Sequence, residues 1–125
     1  MIIGLGIDVV SVVRIEKACA RSGRFAERIL TGAESDMHRE RNSPACFLAG
    51  RFCAKEAVLK ALGTGLAGGV GFRDIEILND AAGAPTAALS GRALEVCRQL
   101  GGKRVLISIS TEKEYAAAMA VIENE

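Results

Sequence analysis

The feature that most constrains the fold is a long, mostly apolar segment from Pro44 to Leu62. The break Asn42-Ser43-Pro44 precedes it and Gly63 follows it. A proline in the first turn and a glycine just past the last turn are typical of helix ends. The pattern therefore predicts one long central helix.

Shorter elements surround this helix. The closing hairpin and the short helices of the first half favour an α+β fold with a mainly antiparallel sheet over a parallel α/β fold. The length and the lack of repeats or linkers predict a single domain, residues 1–125. The other predicted elements are a buried strand at 2–13, a helix capped by Ser11 at 13–21, a short helix from Arg24, a helix with a capping box of Thr31 and Glu34, a glycine-rich loop at 63–71, strands at 72–78 and 86–89, a helix at 90–100, and hairpin strands at 105–110 and 116–122.

Four charged residues interrupt the apolar central helix. Glu56 and Lys60 are four residues apart and share one face, whereas Arg51 and Lys55 share another. On an exposed helix, a Glu–Lys pair at this spacing is an ordinary stabilising contact of about 0.2–0.5 kcal/mol. Because the neighbouring residues are apolar, we expect some of these charges to face a cleft.

Asp8 lies in the apolar first strand, where an unpaired carboxylate is costly to desolvate. It could equally cap a turn or lie on a solvated face of the strand. If the fold brings Asp8 and Glu56 together, the two carboxylates could hold Mg²⁺, which takes one or two carboxylates together with waters and substrate phosphates. Arg51 and Lys60 would then supply the cations that face the phosphates.

The charge distribution indicates a selective partner. The net charge is only +1, yet residues 1–60 carry ten Lys/Arg against seven Asp/Glu. Five of these cations lie between residues 14 and 28, beside Phe25. Such a run is often just a solvated face, but a cationic patch beside an aromatic ring also suits an acidic protein partner. The near-neutral total argues against nucleic acid, and no apolar run is long enough to span a membrane.

The four cysteines are scattered without a C-x-x-C pair. With a single histidine in the chain, this spacing argues against a zinc knuckle. It favours reduced thiols in a cytoplasmic protein.

Several stretches, in order and over nearly the whole length, resemble the holo-acyl-carrier-protein synthase family, the small bacterial 4′-phosphopantetheinyl transferases. The matching stretches are G-I-D-V at 6–9, R-F-A-E-R-I-L-T at 24–31, F-L-A-G-R-F-C-A-K-E-A-V-L-K-A-L-G-T-G at 47–65, F-R-D-I-E-I at 72–77 and S-I-S-T-E-K-E-Y-A-A-A at 108–118.

The resemblance implies a 4′-phosphopantetheinyl transferase fold and a homotrimer with active sites between subunits. It implies Mg²⁺-dependent transfer of phosphopantetheine from coenzyme A to a serine of apo acyl carrier protein, with release of adenosine 3′,5′-bisphosphate, in support of fatty acid biosynthesis. Glu56 is the candidate base for the serine. The implied site residues are Asp8, Glu56 and Lys60 for catalysis; Asp8 and Glu56 for the metal; Arg51, Lys60, Gly63, Thr64, Gly65 and Thr111 for coenzyme A; and Arg14, Arg21, Arg24, Phe25 and Arg28 for the carrier protein.

One position departs from the family pattern, and two other functions stay open. Thr111 stands where the family usually has a histidine that contacts coenzyme A, so we expect a weaker contact there, offset by a cation such as Lys103 or Lys113. A related transferase that serves polyketide or peptide-synthase carriers is the first alternative. A non-catalytic binding module is the second, and Thr111 is its only support.

Overall fold

The central helix, α4, spans Pro44–Leu62 in the computed structural model, which describes residues 1–125. Gly63 ends it with a φ of +79°, in the left-handed region that favours glycine. The Gly63 N–H donates to the carbonyls of Leu59 and Lys60. Both predicted ends of the helix are therefore confirmed.

Ten elements make up the fold, joined by short loops and two 3₁₀ turns. Ser11 caps α1 by accepting a hydrogen bond from the Arg14 N–H, and Thr31 and Glu34 form the predicted capping box. The elements are β1 (Ile2–Ser11), α1 (Val12–Arg21), α2 (Phe25–Ile29), α3 (Gly32–Arg39), α4, β2 (Ile75–Asn79), β3 (Pro85–Leu89), α5 (Gly91–Gln99), β4 (Arg104–Thr111) and β5 (Tyr115–Glu123), with the 3₁₀ turns at Ala67–Gly69 and Phe72–Asp74.

Two predicted boundaries are wrong. The first strand ends at Ser11, because the cap that Ser11 provides starts α1 at Val12. The strand predicted at 72–78 begins only at Ile75, because residues 72–74 form a 3₁₀ turn in which the Asp74 carboxylate accepts the Gly71 N–H.

All strand pairs are antiparallel, and they form two sheets. The larger sheet has the order β1-β5-β4, and β2 pairs with β3 in the smaller one. The predicted α+β class is confirmed, with two small sheets where the sequence predicted one. Helix α4 packs across β1, β5 and β4 and carries nine of the 24 residues of the buried apolar core.

Two glycines allow β1 to run unusually close to α4. A Cβ atom on Gly6 would lie 2.8 Å from the Ala57 carbonyl carbon and closer still to its oxygen, and one on Gly4 would meet the Ala61 carbonyl. Small residues of β5, including the buried Ala118, complete the contact. Because side chains alternate along a strand, Asp8 lies on the same face as Gly6 and is held against α4.

The other face of the larger sheet is exposed, so the prediction of a fully buried first strand is wrong. Leu5, Ile7 and Val9 are each 65% exposed, since no element of this chain covers them. Leu106 and Met119 from β4 and β5 extend the same apolar face.

Candidate active site

Asp8 of β1 is in direct contact with Lys60, which lies in the last turn of α4. The Lys60 Nζ lies 3.1 Å from Asp8 Oδ1 and 2.9 Å from the Ile7 carbonyl oxygen. The Asp8 side chain is only 18% exposed, whereas that of Lys60 is 54% exposed. The lysine therefore reaches from solvent towards a largely buried carboxylate.

Glu56 lies one helical turn before Lys60 and shares its face of α4. Burial raises the pKa of Glu56, and the negative charge of Asp8 raises it further, while Lys60 acts in the opposite direction. Asp8 and Glu56 are thus close enough to repel each other, with one lysine as the counter-charge. The structure brings these three residues together, a proximity that the sequence left open.

Cys53 lies beneath this group and has no reactive character. Its thiol donates to the Ala116 carbonyl at 3.5 Å, and the residue is fully buried. Burial raises the pKa of the Cys53 thiol to about 12, with a further contribution from the Asp8 charge. A protonated thiol is neither a nucleophile nor a good metal ligand, so Cys53 supports Asp8 by packing.

The donor set of this group suits a hard cation. Two facing carboxylates carry more negative charge than one lysine balances, and oxygen donors are the ligands that Mg²⁺ prefers. No cluster of three or more His, Cys, Asp or Glu side chains is present. Asp8 and Glu56 are the two residues that would hold such a cation, and it would supply positive charge to a phosphorylated ligand.

Gly63, Thr64 and Gly65 directly follow the C-terminal end of α4, the end that carries Lys60. Thr64 is half-buried, and its hydroxyl donates to the Gly65 carbonyl at 3.1 Å. Gly65 has a φ of +56°, so the turn depends on glycine there.

Arg51 and Thr111 belong to a second group near the other end of α4. They line one cavity of about 500 Å³, together with Arg41, Phe47 and Asn79. The Arg51 guanidinium donates to the Ile77 carbonyl and to Asn79 Oδ1, each at 3.0 Å. Burial lowers the pKa of Arg51.

The cations that line the cavity of Thr111 are Arg41 and Arg51, and neither Lys103 nor Lys113 lines it. Arg41 and Arg51 lie over the same Phe47 ring, 4.9 Å and 4.6 Å from its centroid. Lys103 lies at the opposite end of β4 and lines a different cavity. The polar lining and two guanidinium groups suit a phosphorylated ligand.

Within one chain the two groups are separated. Arg51 and Lys60 are nine residues apart on a continuous helix, an axial distance of about 13 Å. The sequence predicted only that both face phosphates, with Lys60 and Arg51 among the residues for coenzyme A. A single copy of the chain places them at different sites.

The predicted docking residues form a basic surface on α1 and α2. Arg14 and Arg21 are exposed on α1. Arg24 and Arg28 line a cavity of about 480 Å³, here called the docking cleft, whose other wall is Gly71–Arg73. Phe25, predicted as an apolar anchor beside these cations, is half-buried, and its ring centroid lies 6.0 Å from that of Phe52.

Several residues of these sites could not be picked out from the sequence. Arg41 and Asn79 precede and follow chain turns and carry no motif. Arg73 adds a third arginine to the docking cleft from a segment predicted as a strand. Gly6 belongs to the matching stretch at 6–9, but its close approach to α4 is visible only in the packing.

A family model described as the 4′-phosphopantetheinyl transferase superfamily matches residues 4–120. The holo-[acyl-carrier-protein] synthase of Vibrio cholerae is 48% identical over 124 residues, 98% of each chain. The chain therefore belongs to the holo-[acyl-carrier-protein] synthase family of this superfamily, as the motifs predicted.

Solved structures agree with this assignment. The holo-[acyl-carrier-protein] synthase of Neisseria meningitidis is 42% identical and superimposes with a TM-score of 0.90, covering 98% of this chain and 99% of that one. The enzyme of Bacillus anthracis, solved in complex with coenzyme A (3′,5′-ADP), is 40% identical with a TM-score of 0.83, covering 100% and 99%. No helix of the chain combines the length and apolar character that crossing a membrane requires.

Proposed function

We propose that this protein transfers the 4′-phosphopantetheine group of coenzyme A to a serine of an apo acyl carrier protein and releases adenosine 3′,5′-bisphosphate. The proposal includes dependence on Mg²⁺, a role in fatty acid biosynthesis and a cytoplasmic location. The observation that carries it is the group of Asp8, Glu56 and Lys60, held together between β1 and α4 in a chain of this family.

In this reaction the serine hydroxyl oxygen attacks the phosphorus that bears pantetheine, and the bond from that phosphorus to the bridging oxygen of the diphosphate breaks. Glu56 is the proposed acceptor of the serine proton, since burial and the Asp8 charge raise its pKa above the ordinary glutamate value in the metal-free chain. Lys60 faces the negative charge that develops on the leaving phosphate. Mg²⁺ bound by Asp8 and Glu56 would neutralise and orient the diphosphate.

Mass spectrometry tests the proposal directly. Purified protein is incubated with Mg²⁺, coenzyme A and apo carrier proteins of the fatty-acid, polyketide and peptide-synthase types. We expect the fatty-acid carrier to gain one phosphopantetheine mass and the reaction to stop when EDTA is added. Failure to modify any carrier would favour a binding module, and modification of only the other carriers would favour the related transferase.

We propose that Arg24 and Arg28 dock the acidic carrier. The variant Arg24→Glu/Arg28→Glu is expected to raise the KM for apo carrier at least tenfold at low salt while the KM for coenzyme A stays unchanged, since like charges now face each other. The factor should shrink at 0.5 M salt because exposed charges are screened. The matched control, Arg98→Glu/Lys103→Glu, reverses two exposed cations of another cavity and should leave both constants unchanged.

Thr111 and Arg51 are proposed to bind the nucleotide end of coenzyme A. The variant Thr111→His adds a cationic donor in this cavity and is expected to lower the KM for coenzyme A about fivefold, equivalent to a charge-assisted hydrogen bond of about 1 kcal/mol at a solvated site. The gain should disappear above pH 7.5, where the imidazole is neutral. Initial-rate measurements at pH 6.0 and 8.0 check both results, and an unchanged KM at pH 6.0 would exclude the contact.

We further propose a homotrimer whose active sites lie between subunits. Two observations support it: the exposed apolar sheet face around Leu5, and the separation of Arg51 from Lys60 within one chain. Contact between copies would cover that face and allow the arginine of one chain to meet the carboxylates of the next.

A charge placed on the apolar sheet face should therefore dissociate the protein. Sedimentation of Leu5→Glu is expected to give a monomer with less than a hundredth of the transfer activity. Leu100→Glu is the control, because Leu100 is also an exposed leucine but lies at the end of α5. A Leu5→Glu protein that still sediments as a trimer would contradict the proposed interface.

A further inference from the structure

Lys55 is buried with no exposed surface, directly before Glu56 on α4, and the proposed reaction leaves it without a role. Its Nζ lies 2.6 Å from Glu34 Oε1, 2.6 Å from the Ile29 carbonyl oxygen and 3.2 Å from the Phe72 carbonyl oxygen. An ammonium group has three N–H donors, and each has one acceptor here. The position is therefore built for a charged lysine.

Glu34 is equally buried and equally satisfied. Its Oε1 also accepts the Thr31 N–H at 2.8 Å, and its Oε2 accepts the Ile77 N–H at 2.7 Å. The capping box accounts for the Thr31 bond, but not for the bonds to Lys55 and Ile77. A buried ion pair is weak evidence for stability, because apolar residues of similar volume often replace such a pair without loss.

The two carbonyls that Lys55 binds belong to the two elements that form the walls of the docking cleft, although Ile29 itself does not line it. Ile29 is the last residue of α2, the wall that carries Arg28. Phe72 begins the 3₁₀ turn that forms the other wall. One ammonium group thus holds both walls through their backbones, and the helix that supplies it carries Glu56 as its next residue.

We propose that Lys55, held by Glu34, is a positioning residue that fixes the width of the docking cleft and its placement relative to Glu56. The partner it serves is an acidic segment of a carrier protein seated between α2 and the turn at 72–74, where Arg24, Arg28 and Arg73 line the cleft. This inference rests on the proposed function. Lys55 and Glu34 determine how well the carrier protein fits the docking cleft, whereas the arginines of the cleft attract it by charge.

The test uses the double variant Glu34→Gln/Lys55→Met, which removes both charges and nearly conserves volume. Without the ammonium group the two walls lose their common donor, so we expect the KM for apo carrier to rise at least tenfold. The dissociation constant of coenzyme A should stay within twofold of the wild-type value. The rise in KM should be the same at low and high salt, because it reflects geometry, whereas the effect of reversing Arg24 and Arg28 should shrink with salt.

The control removes an exposed ion pair in the same way. Asp36→Asn/Arg39→Met breaks a pair on the outer face of α3 and should leave both constants unchanged. If the double variant does not fold, Glu34→Gln alone supplies the measurement. It keeps an acceptor oxygen for Lys55 and is expected to raise the carrier KM about threefold.

A purely structural pair would lower the urea midpoint while the folded protein keeps the wild-type KM for carrier, and that result would overturn the inference. Failure of the proposed function is distinguishable from this, because then the wild-type protein itself would modify no carrier.

Discussion

Replacement of Glu56 by Gln is expected to slow phosphopantetheine transfer about a thousandfold, within the range lost when a general base is removed. An amide cannot accept the serine proton, and it offers one neutral oxygen to a cation where the carboxylate offers a charged one. The rate is measured from the gain of carrier mass under saturating coenzyme A and carrier. Glu95→Gln, the same substitution on the exposed face of α5, should retain full activity.

The same substitution should not weaken the fold. Burial and the Asp8 charge raise the pKa of Glu56, so the folded chain binds this proton more tightly than the unfolded chain does. The resulting stability is present below the ordinary glutamate pKa and is lost as the pH rises through the raised value. At pH 7 the ionised Glu56 therefore destabilises the metal-free protein, and Gln removes that cost.

Urea unfolding at pH 7 in EDTA should give Glu56→Gln a midpoint equal to or above that of the wild type. A near-normal transfer rate would refute the roles given to Glu56. A clearly lower midpoint would instead make Glu56 a residue that maintains the fold.

Gly6→Ala is expected to destabilise the protein by about 3 kcal/mol, the upper part of the range for overpacked contacts. The new methyl group would overlap the carbonyl oxygen of Ala57, and two backbones cannot move apart as a flexible side chain could. Because Asp8 follows on the same face of β1, separation from α4 would also draw it away from Glu56. We therefore expect activity to fall even at temperatures where the variant is folded.

Chemical denaturation and transfer assays at 15 °C measure the two effects separately. Gly32→Ala is the matched control, since nothing lies within 4 Å of a Cβ at Gly32 and the residue begins α3. It should gain about 0.5–1 kcal/mol, the usual helix preference for alanine. Equal stability of Gly6→Ala and wild type would show that the strand and helix can separate without cost.

The local features of the fold could be predicted from the sequence. Pro44 and Gly63 mark the ends of α4, and Thr31 with Glu34 marks the start of α3, because helix ends depend on residues close in sequence. The 3₁₀ turn before β2 was missed, since its one apolar residue, Phe72, stands close to the Ile-rich strand and was assigned to it. Its cause is the bond of the Asp74 carboxylate to the Gly71 N–H.

The candidate site was predictable to the extent that its residues carry a motif. Asp8, Glu56 and Lys60 were identified by their charges in apolar surroundings, and the structure places them together. The hydrogen bond that Glu34 accepts from the Ile77 N–H joins residues 43 positions apart, and no rule based on sequence spacing predicts such a contact. Arg41 became visible only when the fold placed it over Phe47.

The close contact between β1 and α4 also limits which substitutions this sequence can tolerate during evolution. At Gly4 and Gly6 the opposing atoms are carbonyl groups of the helix, so no second substitution elsewhere can make room for a side chain. Leu5 and Ile7 point to the opposite face of the sheet, where no helix carbonyl excludes a side chain. The partner that contacts this exposed face limits their substitution instead. Neighbouring residues of one strand are thus constrained for different reasons. We expect neutral substitutions to accumulate elsewhere in the chain.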